Sequence, residues 1–472
     1  MAEEQLPAEE PATNPPWQPE EPASETAPSA PLGPEQQAAE SMRLRQQLVE
    51  RLKARDVLHS AALEHALLRV PREIFLPDIA EREGLERIYA DDAIVTKRSS
   101  YGAPISSSSA PSMMAIMIEQ LELHPGLRVL EIGAGTGYNA ALLAELVGDP
   151  AAITTIDIEQ DVVEQAQRNL ASAGYGAITV LCADGAEGAP NLAPFDRIEL
   201  TVAADDIAPA WMDQLSPGGR LVLPLELHRQ QRGQLSLALV KHEDYLESTA
   251  AAYAFFIPLR GDQAMSAARS APLSVVGADD NSHRWELTVF GAPLSGSAAI
   301  RRDVLHLLSG PHENRDLHLD ATARSLVAYL ELRYGEEETI AVWSGHASWG
   351  FEGWATGVLA HPAQSSGVLP FAPRSGRFSQ QPGIVLLRAA TASPDDAGLE
   401  QAILYGGGSA LHRLQSIIRE WKRLHAPDLE ALRVRVYPQG SAPTPAADEW
   451  LITKRSVQLL LSFQAPAIPA EG

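Results

Sequence analysis

Leu127-Arg128-Val129-Leu130-Glu131-Ile132-Gly133-Ala134-Gly135-Thr136-Gly137-Tyr138 decides how this chain is read. The apolar run Val129–Ile132 predicts a strand that enters a turn with three glycines at alternate positions. Ala140, Leu142, Leu143, Leu146 and Val147 then repeat at helical spacing, so the unit is strand, glycine loop, helix. Glycine lets the backbone turn sharply and lets a ligand lie against it, and the helix start offers free N–H groups. The spacing is G-x-G-x-G, with Asn139 after Tyr138, so the later glycine of the dinucleotide fingerprint is missing. Glu131, at the end of the strand, repels a diphosphate and favours a sulfonium. A second apolar strand, Ile153–Ile156, ends in Asp157, about twenty residues on, where an acid accepts both ribose hydroxyls. Together Glu131, the loop glycines and Asp157 point to S-adenosyl-L-methionine. The competing reading is a tight turn with no ligand.

Outward from this unit the chain keeps alternating. A helix is predicted over roughly 160–173, a strand over Ile178–Cys182 ending in Ala183-Asp184-Gly185, a strand over Phe195–Val202, a helix around 209–215 and a strand over Arg220–Leu225. That order implies a mostly parallel sheet with right-handed crossovers and ligands at the carboxyl ends of its strands. Glu131, Asp157, Asp184 and Thr201 all fall there. Asp184 reads either as an acceptor for an adenine amine or as a solvated loop acid. Leu235–Val240 and Tyr253–Leu259 read as an antiparallel edge. The core boundary falls near Asp262.

Length and charge set the frame. A chain of 472 residues suggests two or three domains, and the formal charge of −24 disfavours a nucleic-acid partner. The one cysteine, Cys182, excludes an intrachain disulfide framework and a cysteine-based zinc site, and no metal is expected; it reads as a buried strand residue. An acidic N-terminus without an apolar core and no apolar run of about twenty residues predict a cytoplasmic protein with no membrane partner.

Residues 1–40 are rich in Pro, Glu and Ala and read as a disordered tail in which Trp17 is the only aromatic. Ser41 reads as the cap of a helix bearing Leu44, Leu48, Val49 and Leu52, the first element of a helical N-terminal lobe. Ile105 through Met114 carries the run Ser106-Ser107-Ser108-Ser109 before Ala110-Pro111-Ser112. Ser109 reads as a helix N-cap with Pro111 in the first turn. The run is either a flexible loop with a cap or a lid whose hydroxyls and N–H groups hold a substrate carboxylate. From 263 to 465 the pattern changes to strands at Trp285–Phe290, Ile340–Trp343, Gly383–Arg388 and Leu432–Tyr437. Helices are expected over Ala321–Tyr334, from Asp396, and over Ser409–Arg423. This reads as an additional α/β or α+β C-terminal domain, with a mobile loop over Ser344–Pro382 and a frayed tail over 466–472. Gly406-Gly407-Gly408 precedes a helix without a following Lys-Ser/Thr, so it reads as a turn and not a phosphate loop.

Several pieces now fit one family. Val70-Pro71-Arg72-Glu73-x-Phe75-x-Pro77, Tyr89-Ala90-Asp91-Asp92, Ser109-Ala110-Pro111, the glycine loop, Asp184-Gly185, Phe195-Asp196-Arg197-Ile198 and Leu215-x-Pro217-Gly218-Gly219-Arg220 follow in order across 41–262. This stretch resembles the protein-L-isoaspartate (D-aspartate) O-methyltransferases. The resemblance implies a Rossmann-like methyltransferase core using S-adenosyl-L-methionine, acting on a protein or peptide bearing isoaspartate or aspartate. It assigns substrate contact to Ser109. The reading of the residues adds Ser106, Ser107, Ser108, Ser112 and Thr201 as positioning the carboxylate, and Glu131, Gly133, Gly135, Gly137, Asp157, Asp184 and Gly185 as cofactor contacts. Ser112 stands where the family has His. The long C-terminal part resembles relatives that methylate aspartate in ribosomally made peptides, which implies a precursor peptide held by that domain. A cofactor-binding scaffold without activity is the third reading.

Overall fold

The computed structural model describes residues 33–228, 234–261, 273–278, 284–290, 294, 298–310, 312–316, 323–335, 339–344, 353–360, 382–389 and 399–464. The chain opens with α1 (Pro34–Ala54), α2 (Ala61–Arg69), a 3₁₀ turn at Arg72–Phe75 and α3 (Pro77–Ile88). Leu44, Leu48, Val49 and Leu52 of α1 are buried as the helical spacing predicts. The helix nevertheless begins before Ser41. Pro34 supplies a preset φ at its first turn, and Gly33 is its N-cap. Ser41 lies inside α1 and donates its hydroxyl to Glu73 Oε1 at 2.5 Å. The expected disordered tail therefore loses residues 34–40 to helix; Trp17 lies outside the described residues.

A hairpin follows, β1 (Ile94–Arg98) and β2 (Pro104–Ser108), and then α4 (Pro111–Leu121). The core comes next: β3 (Val129–Ile132), α5 (Tyr138–Val147), β4 (Ile153–Asp157), α6 (Gln160–Ser172), β5 (Thr179–Cys182), β6 (Phe195–Leu200), α7 (Pro209–Gln214) and β7 (Leu215–Glu226). β7, β6, β3, β4 and β5 lie side by side and all pair in parallel. The alternating order of strands and helices dictates this, because parallel neighbours need crossovers. Every residue of β3 is buried, as a strand covered on both faces requires. Cys182 is exposed, contrary to the buried reading, because β5 is the edge of the sheet.

β8 (Gln234–Lys241) extends the sheet antiparallel to β7, and β9 (Leu246–Ala254) lies antiparallel to β8. The second strand lies earlier than Tyr253–Leu259. Glu247 and Ser248 look like loop residues in sequence but pair with β8, and Thr249 sits at the bulge between the two registers. The chain after β9 instead crosses the carboxyl ends of the strands, where Ala203 N–H donates to Ile257 O at 2.9 Å and Leu259 N–H to Ala203 O at 2.7 Å.

A second sheet contains β10 (Leu273–Ala278), β11 (Arg284–Phe290), β12 (His312–Asp316), β13 (Thr339–Ser344), β14 (Gly353–Ala360), β15 (Gly383–Ala389) and β16 (Leu399–Gly406), in the order β10-β11-β13-β14-β15-β16-β12. All its pairs are antiparallel, so this part is α+β. Period-two alternation sends Ile384 and Leu386 to α8 (Ala298–Leu308), and Val385 and Leu387 to α9 (Ala323–Tyr334) and α10 (Ser409–Arg423). Two expectations change. Leu399–Gly406 is a strand where a helix from Asp396 was expected, and β14 interrupts the interval expected as a mobile loop. The remainder of that interval and the tail 466–472 lie outside the described residues.

The largest correction concerns the boundary at 465. β17 (Leu432–Pro438), β18 (Glu449–Thr453) and β19 (Val457–Phe463) belong to the first sheet, not the second. β17 pairs with β9, giving a ten-stranded sheet in the order β18-β19-β17-β9-β8-β7-β6-β3-β4-β5. β9 is thus no edge. Val434, Val436, Leu459 and Leu461 share one core with Leu223, Leu237 and Leu246, because a hairpin whose alternate positions are apolar needs a covered sheet to lie in.

Candidate active site

The cleft lies at the carboxyl ends of β3, β4 and β6, where the parallel topology places a ligand. Its walls are the serine run, the glycine loop, Asp157, Glu199, Thr201 and the crossing segment Phe256-Ile257.

The glycine loop is built by contacts with its neighbours. Gly133 has φ +109°, and a Cβ there would fall on Thr201 Oγ1. Thr201 Oγ1 donates to Gly133 O at 2.7 Å, so this hydroxyl holds the loop. Gly137 has φ +88° and lets α5 start against Leu170 of α6; it is not on the cleft wall. Gly135 N–H donates to Asp157 Oδ2 at 3.2 Å, and Glu159 N–H donates to Oδ1 at 3.2 Å. These bonds aim the carboxyl at the cleft, and burial pushes its pKa up despite them.

The serine run is strand β2 rather than a flexible loop, and its alternation sorts the four hydroxyls. Ser106 and Ser108 are buried. Ser106 Oγ accepts from Thr96 Oγ1 at 3.0 Å and Ser108 Oγ from Arg72 Nη2 at 3.1 Å. Ser107 and Ser109 are half-buried, and their hydroxyls have no partner among the described residues. The N-cap of α4 is Ala110, not Ser109. Ser109 O is taken instead by Arg72 Nη2 at 2.9 Å, which leaves the Ser109 hydroxyl to the cleft. The hairpin is tied down by Lys97, whose Nζ lies 2.7 Å from both Glu159 Oε2 and Asp161 Oδ1; Arg260 pairs with Glu159 as well.

Besides Gly137, four expected residues are placed elsewhere. Glu131 lies one residue before the strand end, fully buried beneath the loop. Its oxygens accept from Thr155 Oγ1 at 2.5 Å and Asn139 Nδ2 at 2.8 Å, and burial pushes its pKa up to about 7. Ser112 sits in the first turn of α4, where its N–H donates to Asp91 Oδ1 at 2.8 Å, away from the cleft wall. Asp184 caps the turn at Gly185–Glu187, accepting from Ala186 N–H at 2.9 Å, and Gly185 O accepts from Trp211 Nε1 at 2.9 Å. Both Asp184 and Gly185 stand beyond the lining residues.

Sequence reasoning missed Arg72, Asn139 and Glu199 as site residues. Glu199 lines the cleft two residues before Thr201, and that period-two relation was its signal. Burial, and then the charge of Glu131, push its pKa up to about 8. Arg72 is fully buried, with its guanidinium carbon 5.6 Å from the Tyr138 ring centroid, and nothing local in Val70-Pro71-Arg72 shows that it reaches β2.

The lining residues include two carboxylates, Asp157 and Glu199, and no Lys, Arg or His. That donor set fits a cationic ligand bearing hydroxyls and fails a dinucleotide, whose phosphates would find no positive partner. No group of three or more potential metal ligands exists among the described residues. No described helix is long and apolar enough to cross a membrane.

The chain is similar to known proteins over this part of its length. The family model described as Protein-L-isoaspartate(D-aspartate) O-methyltransferase matches residues 42–264. The chain is 39% identical over 226 residues to the protein-L-isoaspartate O-methyltransferase of Hyperthermus butylicus, which covers 46% of this chain and 89% of that protein. It is 42% identical over 192 residues to the Methanosarcina mazei protein of the same name, covering 41% of this chain and 74% of that one. A solved structure described as protein-L-isoaspartate O-methyltransferase aligns with 83% of this chain and 96% of its own at 22% identity, with a TM-score of 0.44.

Proposed function

The chain belongs to the protein-L-isoaspartate (D-aspartate) O-methyltransferase family, and from that membership we propose that it transfers a methyl group from S-adenosyl-L-methionine to the side-chain carboxylate of an isoaspartyl residue in a protein or peptide. The observation that carries this reading is the pair of unpartnered hydroxyls, Ser107 and Ser109, facing the glycine loop and Asp157 across one cleft. When bound, the cofactor supplies an electrophilic methyl on a sulfonium.

The residues of the chain do the rest. A carboxylate is already a nucleophile at neutral pH, so no general base is required; placement and exclusion of water are. Ser109 donates a hydrogen bond that orients one carboxylate oxygen, leaving the other aligned for attack, and Ser107 offers a second donor. Thr201 keeps Gly133 in place and so shapes the wall behind the reacting centre. Asp157 accepts the ribose hydroxyls. Asp184, on the adjoining turn, accepts from the adenine amine. The ester formed on the substrate is open to attack by the following backbone nitrogen, which gives a succinimide without further help from the enzyme.

The test is methyl transfer from labelled cofactor to paired peptides differing only in isoaspartate or aspartate at one position. Turnover on isoaspartate in unrelated sequences supports the proposal and a repair role. Turnover on aspartate alone replaces it with peptide tailoring. Binding of cofactor with no turnover on either peptide, or on a cognate precursor, leaves the scaffold reading. Ser109→Ala should lower turnover on the active peptide at least tenfold with cofactor affinity unchanged.

A further inference from the structure

Two buried carboxylates meet under the cleft floor, with no cationic side chain beside them among the described residues. Asn139 Nδ2 donates to Glu131 Oε1 and to Glu199 Oε2, each at 2.8 Å. Glu131 is fully buried and Glu199 is 1% exposed. The groups around them are Thr155, Asn139, Thr201, Tyr138 and the third carboxylate, Asp157, and none is basic. A bare buried carboxylate is expensive, and two side by side are worse. Such a pair takes up a proton or takes in a cation.

The hydrogen bonds show which carboxyl holds the proton. Glu131 has a donor on each oxygen, Thr155 on one and Asn139 on the other, which stabilises its anion. Glu199 has only its share of the Asn139 amide; its Oε1 has no partner among the described residues, and its side chain lines the cleft. The amide oxygen of Asn139 is also buried without a donor. The site is thus one positive charge short, on the side that opens to the ligand.

We propose that Glu199 is protonated in the free enzyme and gives its proton to solvent when a positively charged group of the methyl donor enters the cleft, so that Glu199 is a positioning residue coupling cofactor binding to proton release. This rests on the cofactor reading above. No covalent bond changes: the proton leaves the Glu199 carboxyl for water, and the cationic group replaces it as counter-charge. The cofactor offers two such groups, the sulfonium and the α-ammonium. Only the first is lost when the methyl has been transferred. The raised carboxyl pKa values, about 7 for Glu131 and about 8 for Glu199, agree with a pair that keeps a proton at neutral pH.

The sign follows. Below the raised range, binding must expel a proton, so cofactor affinity rises with pH, by up to about tenfold per unit where one whole proton is released. Calorimetry of the full chain between pH 5.5 and 7.5 reads this directly; the cofactor's own amino group begins to titrate at the top of this range and contributes equally to the unaltered protein and to Glu199→Gln. Titrations in two buffers of different ionisation enthalpy count the protons. For S-adenosylmethionine we expect release of more than half a proton and at least tenfold tighter binding at pH 7.5 than at 5.5. Glu199→Gln keeps the shape and the amide contact; it should cut the release by at least half and flatten the affinity to within threefold. S-adenosylhomocysteine identifies the charge: no release points to the sulfonium, equal release to the α-ammonium. Tight, pH-independent binding of S-adenosylmethionine by the unaltered protein, with no proton released, overturns the proposal without touching the cofactor reading. No binding at any pH removes the cofactor reading and this inference with it. The measurements on the unaltered protein decide the matter even where the variant fails to fold.

Discussion

Replacing Arg72 by Met tests whether the serine strand is positioned from behind. The Arg72 side chain is fully buried, and its Nη2 bridges Ser108 Oγ at 3.1 Å and Ser109 O at 2.9 Å. Its Nε and Nη1 are buried with no hydrogen-bond partner among the described residues. Met fills much of the same volume and donates nothing. Each charge-assisted bond lost is worth about 1.5–3 kcal/mol, and the ring contact with Tyr138 adds up to about 2 kcal/mol. Against these stands the cost of keeping a half-satisfied cation out of water, which is several kcal/mol. Burial accordingly pulls the pKa of this guanidinium down. The terms are of similar size and opposite sign, so global stability should change by no more than about 2 kcal/mol either way. The backbone of Arg72 is held separately, by its N–H to Tyr89 Oη at 3.1 Å, and the hydroxyl of Tyr89 is in turn tied to Glu73. What Arg72→Met frees is the end of β2. A displacement of about 1 Å at a reacting partner costs on the order of a hundredfold in rate. Turnover on an isoaspartyl peptide should therefore fall ten- to a hundredfold, while cofactor affinity by calorimetry stays within about threefold and the melting temperature shifts by no more than a few degrees in either direction. Arg72→Lys, which reaches one acceptor, should recover part of the rate. Unchanged turnover, or cofactor affinity collapsing in step with it, would refute the positioning argument.

Gly133→Ala puts a Cβ on Thr201 Oγ1 at a φ of +109°, at a cost of about 1–3 kcal/mol for the backbone alone. Cofactor affinity should drop at least tenfold, and adding Thr201→Ala should restore part of it by removing the clash but not the strain. Asp157→Ala removes an acceptor for two hydroxyls and should weaken cofactor binding by about 2–4 kcal/mol, thirtyfold or more by calorimetry; unchanged affinity takes Asp157 out of the site. A chain ended after Gly261 loses β17–β19 and bares the edge of β9 with the apolar core around Leu246. It should aggregate on expression, and a soluble, active fragment would show that the returning strands are dispensable.

What was legible in the sequence was local. Val129–Ile132, the three glycines and the helix after them announced one βα unit, and the distance to Asp157 announced the next. The alternation of elements then implied the parallel order, because few topologies obey short right-handed crossovers. What was not legible depended on distant partners. Ser109 looks like a helix cap when read alone; the cap position falls on Ala110, and the Ser109 carbonyl is held by an arginine 37 residues away in the chain. The strand Val129–Ile132 is found as read, but Glu131 within it is fully buried and bonded to Thr155 and Asn139, partners that the local sequence does not show. The hairpin position of Tyr253 was misjudged because Glu247–Thr249 are polar, and only the strand that returns at Leu432 explains why they lie in a strand.

That return changes what kind of addition the C-terminal half is. The second sheet is not hung on the end of the methyltransferase core: the chain leaves the first sheet after β9, builds the second sheet, and comes back to place β17 against β9. The closing strands are bonded to the core at several depths. Val434 N–H donates to Ser248 Oγ at 2.8 Å, Lys454 Nζ to Glu226 O at 2.6 Å, and Ser456 N–H to Asp206 Oδ2 at 2.7 Å. Asp206 and Glu226 flank the segments that follow β6 and end β7, and β6 carries Glu199 toward the cleft. The second sheet is therefore an insertion whose two ends are both anchored in the sheet that bears the site. A force or a ligand acting on it reaches the catalytic half through two tethers, not one. The return tether is fixed by the β9–β17 ladder, which lies wholly within the first sheet and whose Val434 and Val436 are buried in the methyltransferase core.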